Sequence, residues 1–160
     1  MQKKEAARSS LDISVVIDAA PERVLKAFFD PEALRAWWQV VRSVTSPRPL
    51  GPFVVEWQPT EYRDEMFGRL GGVFRGTVMQ IHPGRGFFVA DAFWLPPDSD
   101  PVGPMALDVT CSLVSKPRLG TRLRINQTGC DDSRRWRHYY EVITNGWERA
   151  LASLKSLLEV

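Results

Sequence analysis

The stretch Ser133–Leu158, SRRWRHYYEVITNGWERALASLKSLL, decides how the rest of the chain must be arranged. Trp136, Tyr140, Ile143, Trp147, Leu151, Leu154 and Leu158 recur at steps of four, three, four, four, three and four. That spacing draws one continuous apolar stripe along an α-helix. Tyr139, Gly146, Ala150 and Leu157 widen the stripe, while Glu141, Glu148, Arg149, Lys155 and Glu159 mostly lie off it. Asp131, Asp132 and Ser133 are suitable N-cap residues, and no proline interrupts the helix beyond them. A helix of about 25 residues is roughly 37 Å long. It needs a partner of equal length, and the preceding sequence reads as strands able to supply one.

Leu11, Ile13, Val15 and Ile17 alternate with mostly polar neighbours, the pattern of a half-buried strand. Pro21 then suits a first helical position, with Val24, Leu25, Phe28 and Phe29 as the apolar face. Asp30-Pro31-Glu32 opens a second short helix carrying Leu34, Trp37 and Trp38. From Val40 onward the signals are β. Val40–Val44 is a short strand, and Gly51–Gln58 places Phe53, Val55 and Trp57 on one face. Pro59–Gly71 is polar without clear period, a long hairpin loop or a mobile flap. Gly72–His82 and Gly86–Trp94 are strands joined by the turn His82-Pro83-Gly84-Arg85. Leu95–Pro104, with its four prolines, reads as a loop. Met105–Leu113 puts Leu107, Val109, Cys111 and Leu113 inside. After Lys116-Pro117-Arg118, Thr121–Thr128 does the same with Leu123 and Ile125. Strands in succession between helices predict an α+β fold, an antiparallel sheet of about six to seven strands curved around the terminal helix.

A chain of 160 residues suits one domain, residues 11–160, preceded by a flexible tail, Met1–Ser10, that lacks the apolar core of a secretory signal. The net charge of +2 is too small to imply nucleic acid or an anionic membrane. No apolar run approaches the roughly 18 residues of a spanning helix, so membrane insertion is not expected. Cys111 and Cys130 form no C-x-x-C pair, and a reduced, cytoplasmic setting fits them better than a disulfide. His82 and His138 have no partner at metal-ligand spacing, no phosphate-binding glycine motif is present, and neither a metal nor a cofactor is expected.

Several motifs, in order, resemble the START-like (SRPBCC) helix-grip superfamily. They are Ile17-Asp18-Ala19-Ala20-Pro21-Glu22-Arg23-Val24, Phe28-Phe29-Asp30-Pro31-Glu32 and Trp37-Trp38, then Gly76-Thr77-Val78 with Ile81-His82-Pro83. Gly120-Thr121-Arg122-Leu123, and Gly146-Trp147 with Leu151 and Leu154, complete the set. The branch most similar is the one named for the activator of heat-shock-protein-90 ATPase. The resemblance implies a helix-grip fold over Leu11–Leu158. For function it implies a choice among lipid or hydrophobic-ligand binding, cyclase-type catalysis and co-chaperone-like interaction. Many members carry His or Glu where this chain has Gln127, which weakens an inherited catalytic role.

Six tryptophans, eight phenylalanines and three tyrosines are more than a solid core handles easily, because indole N–H and phenol O–H groups need partners when buried. Together with the resemblance, they point to a pocket between sheet and terminal helix. Its candidate lining is Trp37, Phe53, Trp57, Phe74, Phe88, Trp94, Gln127, Tyr140, Ile143 and Trp147. Gln127 shares the inward face of Leu123 and Ile125, and its amide must be paired by protein or ligand; it and the Tyr140 hydroxyl are the expected orienting groups. Asp91 is the one weak catalytic candidate, an acid–base group if it faces inward. Arg134, Arg135, Arg137 and His138 are a solvated basic face or a positive rim for an anionic group or acidic partner. The leading expectation is binding of a small hydrophobic or amphipathic molecule, with Pro59–Gly71 or Leu95–Pro104 as movable covers. A cyclase- or dehydratase-type enzyme centred on Asp91 is one alternative. The other is a protein-interaction module, which an exposed apolar patch near Pro96, Pro97 and Pro101 would favour.

Overall fold

The computed structural model describes residues 10–115, 120–129 and 133–160. The expected tail before Ser10, the turn at Lys116-Pro117-Arg118, Cys130 and the cap candidates Asp131 and Asp132 lie outside the described residues. Strand β1 (Ser10–Ile17) is followed by α1 (Pro21–Lys26) and α2 (Pro31–Trp38), each opening on its proline. The Asp30 side chain accepts from the Glu32 amide and caps α2, which ends where Gln39 turns into the left-handed region at φ 59°. Then come β2 (Arg42–Thr45), β3 (Pro52–Trp57), β4 (Arg63–Asp64), β5 (Gly68–Arg69), β6 (Gly72–His82), β7 (Gly86–Leu95), β8 (Val102–Val114) and β9 (Gly120–Gly129). Helix α3 (Arg134–Leu158) closes the order, its first turn capped by the Ser133 side chain accepting from the Trp136 amide.

Seven strands form one antiparallel sheet in the order β1-β9-β8-β7-β6-β3-β2, and β4 and β5 make a separate hairpin. The long helix, the curved sheet and the two early helices are the α+β helix-grip architecture that the alternation and the helical stripe predict. Leu107, Val109, Leu123 and Ile125 are buried from β8 and β9, as alternation requires. Leu113 departs from it: near the end of β8 it is 68% exposed. Strand β8 also starts three residues before Met105. Gly103 and Pro104 fall where its pairing with β7 shifts register, so Pro104 interrupts no regular ladder.

A second slip, between Val89 and Ala92 of β7, changes which residues face the core. Phe87 and Val89 point inward before it, Ala92 and Trp94 after it. Asp91 sits in the bulge, exposed and left-handed at φ 52°. The far end of α3 is tied down by the Lys155 ammonium donating to the Val16 carbonyl at 2.8 Å and the Arg23 guanidinium donating to the Leu158 carbonyl at 3.0 Å.

Candidate functional site

Between the middle of α3 and the sheet lies a cavity of about 700 Å³. Buried side chains form its floor: Trp37 from α2, Phe74 from β6, Trp94 from β7, Leu107 from β8, Gln127 from β9, and Tyr139, Trp147 and Ala150 from α3. Exposed Gln39, Val41, Gln58, Pro59, Thr60 and Arg149 form the rim. Helix α3 lines it with Tyr139, Val142, Ile143, Gly146, Trp147, Arg149, Ala150 and Ser153, one helical face. At Gly146 an added Cβ would meet nothing within 4 Å. Glycine within a helix costs roughly 0.5–1 kcal/mol relative to alanine, and here no neighbour demands it. What it leaves is space.

The polar groups of the floor are bonded to one another. Gln127 Nε2 donates to the Tyr139 hydroxyl at 2.7 Å and to Met105 Sδ at 2.8 Å, and Oε1 accepts from Trp147 Nε1 at 3.1 Å. The Tyr139 hydroxyl in turn faces Met105 Sδ at 3.3 Å, and burial pushes its pKa well above the usual phenol range. Other wall tryptophans turn their N–H groups into the protein: Trp37 to the Ala27 carbonyl at 2.9 Å, Trp57 to Trp38 at 3.0 Å and Trp94 to Gly71 at 2.7 Å. Four of the wall rings, Trp37, Trp57, Trp94 and Trp147, therefore have their N–H groups already used. Trp38 stacks on Trp37 at 4.9 Å and meets Trp57 at 5.2 Å and Trp147 at 4.9 Å, joining α2, β3 and α3 around the mouth.

The segment expected as a loop or flap is a hairpin clasped to α3. Asp64 Oδ2 accepts from the amides of Met66 and Phe67, at 2.9 and 3.0 Å, which fixes the turn. The same carboxylate meets His138 Nε2 at 2.8 Å. Phe67, fully buried, stacks on the His138 ring at 5.6 Å and abuts Trp94 at 5.2 Å. Burial alone would raise the Asp64 pKa and lower that of His138. The bonds between them, with the two amides and Glu141, outweigh it: Asp64 lies below its ordinary value and His138 above. At the hairpin base, Gly71 (φ 98°) admits no side chain, since a Cβ would strike the Gln58 carbonyl. Asp98, from Leu95–Pro104, pairs with Arg69 at 2.9 Å, and the Arg135 guanidinium donates to the carbonyls of Asp100 and Pro101. That loop is a strap behind the hairpin and contributes no side chain to the cavity.

Of the expected lining, the structure brings together Trp37, Trp57, Phe74, Trp94, Gln127, Ile143 and Trp147. Three residues fall elsewhere. Phe53 is fully buried among Phe29 and Phe87 beneath the short helices. Phe88 lies on the opposite face of β7, paired with Asp108, because the bulge breaks the parity linking it to Trp94. Tyr140 packs on Trp136 and Tyr139, one residue away from the helical face that lines the cavity; Tyr139 takes the place expected for it. Asp91 points to the outside, and the lining contains no Asp, Glu or His, so the cyclase-type alternative loses the group it rested on. Arg135 and His138 serve the strap and hairpin and do not form a rim. Pro96 is buried, Pro97 half-buried and Pro101 exposed, so the three do not make one continuous exposed apolar patch.

Trp38, Tyr139, Gly146, Arg149 and the Asp64–His138 clasp are the site features that sequence reading passed over. For most, a signal existed: Trp38 adjoins Trp37, Gly146 is a glycine inside a long helical pattern, and Phe67 is a phenylalanine in a largely polar stretch. Among the described residues no group of three or more His, Cys, Asp or Glu could hold a metal ion. Cys111 is a free thiol whose pKa burial pushes up to about 12. No described helix is long and apolar enough to cross a membrane.

No curated protein matches the chain. Solved structures share its fold: a protein from Chromobacterium violaceum, at 24% identity and TM-score 0.66, over 95% of this chain and 99% of that one; a protein from Mycobacterium smegmatis, at 17% and 0.73, over 96% and 92%; and the Aha1 dimer from Colwellia psychrerythraea, at 16% and 0.60, over 94% and 96%. The family described as Activator of Hsp90 ATPase homolog 1-like protein matches residues 18–159. With that match over nearly its whole length, the chain belongs to the Activator of Hsp90 ATPase homolog 1-like family of helix-grip proteins.

Proposed function

We propose that this chain binds one small hydrophobic or amphipathic molecule between its sheet and α3, as a cytoplasmic binding protein. One observation carries the reading: a ring-walled cavity of about 700 Å³ whose inner polar groups are bonded to one another. That volume lies within the range of roughly 300–1,000 Å³ seen for small-molecule sites. Burying about 200 Å² of apolar ligand surface would yield a gross gain of about 5 kcal/mol, before the cost of association. Trp37, Trp57, Phe74, Trp94, Ile143 and Trp147 would supply that surface, and Gln127 would hold Tyr139 and Trp147 in place instead of contacting the ligand directly. Gly146 supports the same reading, because a helix that needed only to pack would gain from a side chain there.

Native mass spectrometry of the purified protein, followed by extraction and identification of the molecules released on denaturation, tests this. The expected result is a stoichiometric apolar or amphipathic molecule, or uptake of one from an added panel with quenching of tryptophan fluorescence. A chain that takes up no member of the panel contradicts it.

A further inference from the structure

We propose that the molecule bound in this cavity is an amphipathic anion, its apolar body on the tryptophan floor and its single acidic group at the mouth, held by Arg149. The inference rests on the cavity being a ligand site and adds the chemical class. Polarity in the cavity is one-sided. At the floor, both Gln127 Nε2 donor positions are engaged by Tyr139 and Met105, and its oxygen by Trp147. A ligand therefore gains little from a polar group at its inner end, where any such group would be desolvated without a free partner. The free polarity lies at the mouth.

Arg149 is the one charged residue among those lining the cavity. Several charged side chains at the hairpin and sheet are matched: Arg42 by Glu56, Arg69 by Asp98, Arg124 by Asp12, Lys155 by Glu159. Among the described residues, none forms an ion pair with Arg149. Its own helix offers it no acid either, since Asn145, Gly146, Ala152 and Ser153 occupy the neighbouring positions one turn away. A planar guanidinium with several donors is suited to a carboxylate, sulfonate or phosphate oxygen. Arg149 stands one helical turn beyond Gly146, where the helix leaves its wall open, so the body and the acidic group of one ligand can be served by adjacent turns of α3. Ser153, a turn further on, adds a hydroxyl beside the same position.

Two fluorescent probes with one scaffold separate the contributions: neutral N-phenyl-naphthylamine and the anionic anilinonaphthalene sulfonate. Both should bind the wild-type protein, the sulfonate about tenfold more tightly, the scale of a charge-assisted hydrogen bond. Arg149→Gln should erase that advantage while leaving the neutral probe unchanged, and Gly146→Leu should weaken both, placing them in the cavity. Equal affinity for the two probes, or an equal loss of both in Arg149→Gln, overturns the anion assignment and leaves the cavity reading intact. A sulfonate that binds undiminished to Gly146→Leu lies elsewhere and also overturns it. Failure of both probes to bind counts against the cavity reading and the anion with it.

Discussion

Beneath α1 and α2 the space between helices and sheet is filled, whereas beneath the middle of α3 it is left open. Phe28, Phe29, Phe53 and Phe87 fill the first region, with ring centroids 4.8–5.8 Å apart among the pairs that meet. Phenylalanine has no polar atom to satisfy and can be buried from every side. The second region is walled mainly by tryptophans: Trp37, Trp57 and Trp94 are anchored at their N–H edges by carbonyls and Trp147 by Gln127, and their rings border the cavity. One sheet thus supports a stabilising core and a binding cavity side by side. Phenylalanines predominate in the first and tryptophans in the second, with Phe74 in the cavity floor and Trp37 touching both.

Disrupting the filled region should have the largest effect. Phe53→Ala removes a fully buried ring and is expected to cost about 3–5 kcal/mol, read from urea unfolding. A much smaller loss would mean that this region is looser than its ring contacts imply. Next comes the scaffold of the open region. Gln127→Leu strands the Trp147 N–H and deprives the Tyr139 hydroxyl of a donor, for an expected loss of about 2–3 kcal/mol in thermal unfolding.

The clasp should show as a local effect that depends on pH. The raised His138 pKa contributes stability that is fully present below the ordinary imidazole value of 6.5 and is lost as pH rises through its folded value. The lowered Asp64 pKa contributes stability that is present above 3.8 and is lost as pH falls through its own folded value. The hairpin is therefore held best between these limits. Opening free energies from amide exchange at Met66 and Phe67 should fall as pH rises from about 6 to about 9. In His138→Ala they should be low throughout that range. A pH-independent opening in the wild type would mean that the Asp64–His138 pair does not hold the hairpin.

The fold was largely legible because α3, β9 and the middle of β8 have strong periods, and because the two prolines mark the starts of α1 and α2. The cavity was legible in part. Inward parity along β9 reaches Gln127, but a single bulge at Asp91 puts Phe88 on the other side of β7, and nothing in the local sequence announces that bulge. On α3 the apolar stripe divides: Tyr140, Leu151 and Leu154 pack into the core, while Ile143 and Trp147 reach the cavity. The face beside it, with Tyr139, Gly146 and Arg149, lines the cavity. A binding face is expected to look less uniformly apolar than a packing face, so hydrophobic regularity finds Ile143 and Trp147 but not Tyr139, Gly146 and Arg149 beside them. The Asp64–His138 contact joins residues 74 positions apart and has no local signature.

If the space beside Gly146 is kept for a ligand, it is kept at some expense to the empty protein. Gly146→Leu, compared with wild type for unfolding free energy and for affinity toward N-phenyl-naphthylamine, puts both halves of that statement to the test. The variant should be more stable by about 0.5–1 kcal/mol and at least about tenfold weaker in binding, the equivalent of roughly 1.4 kcal/mol. A variant that binds the probe as well as wild type, or that is clearly less stable, would show that the open wall at Gly146 serves no ligand.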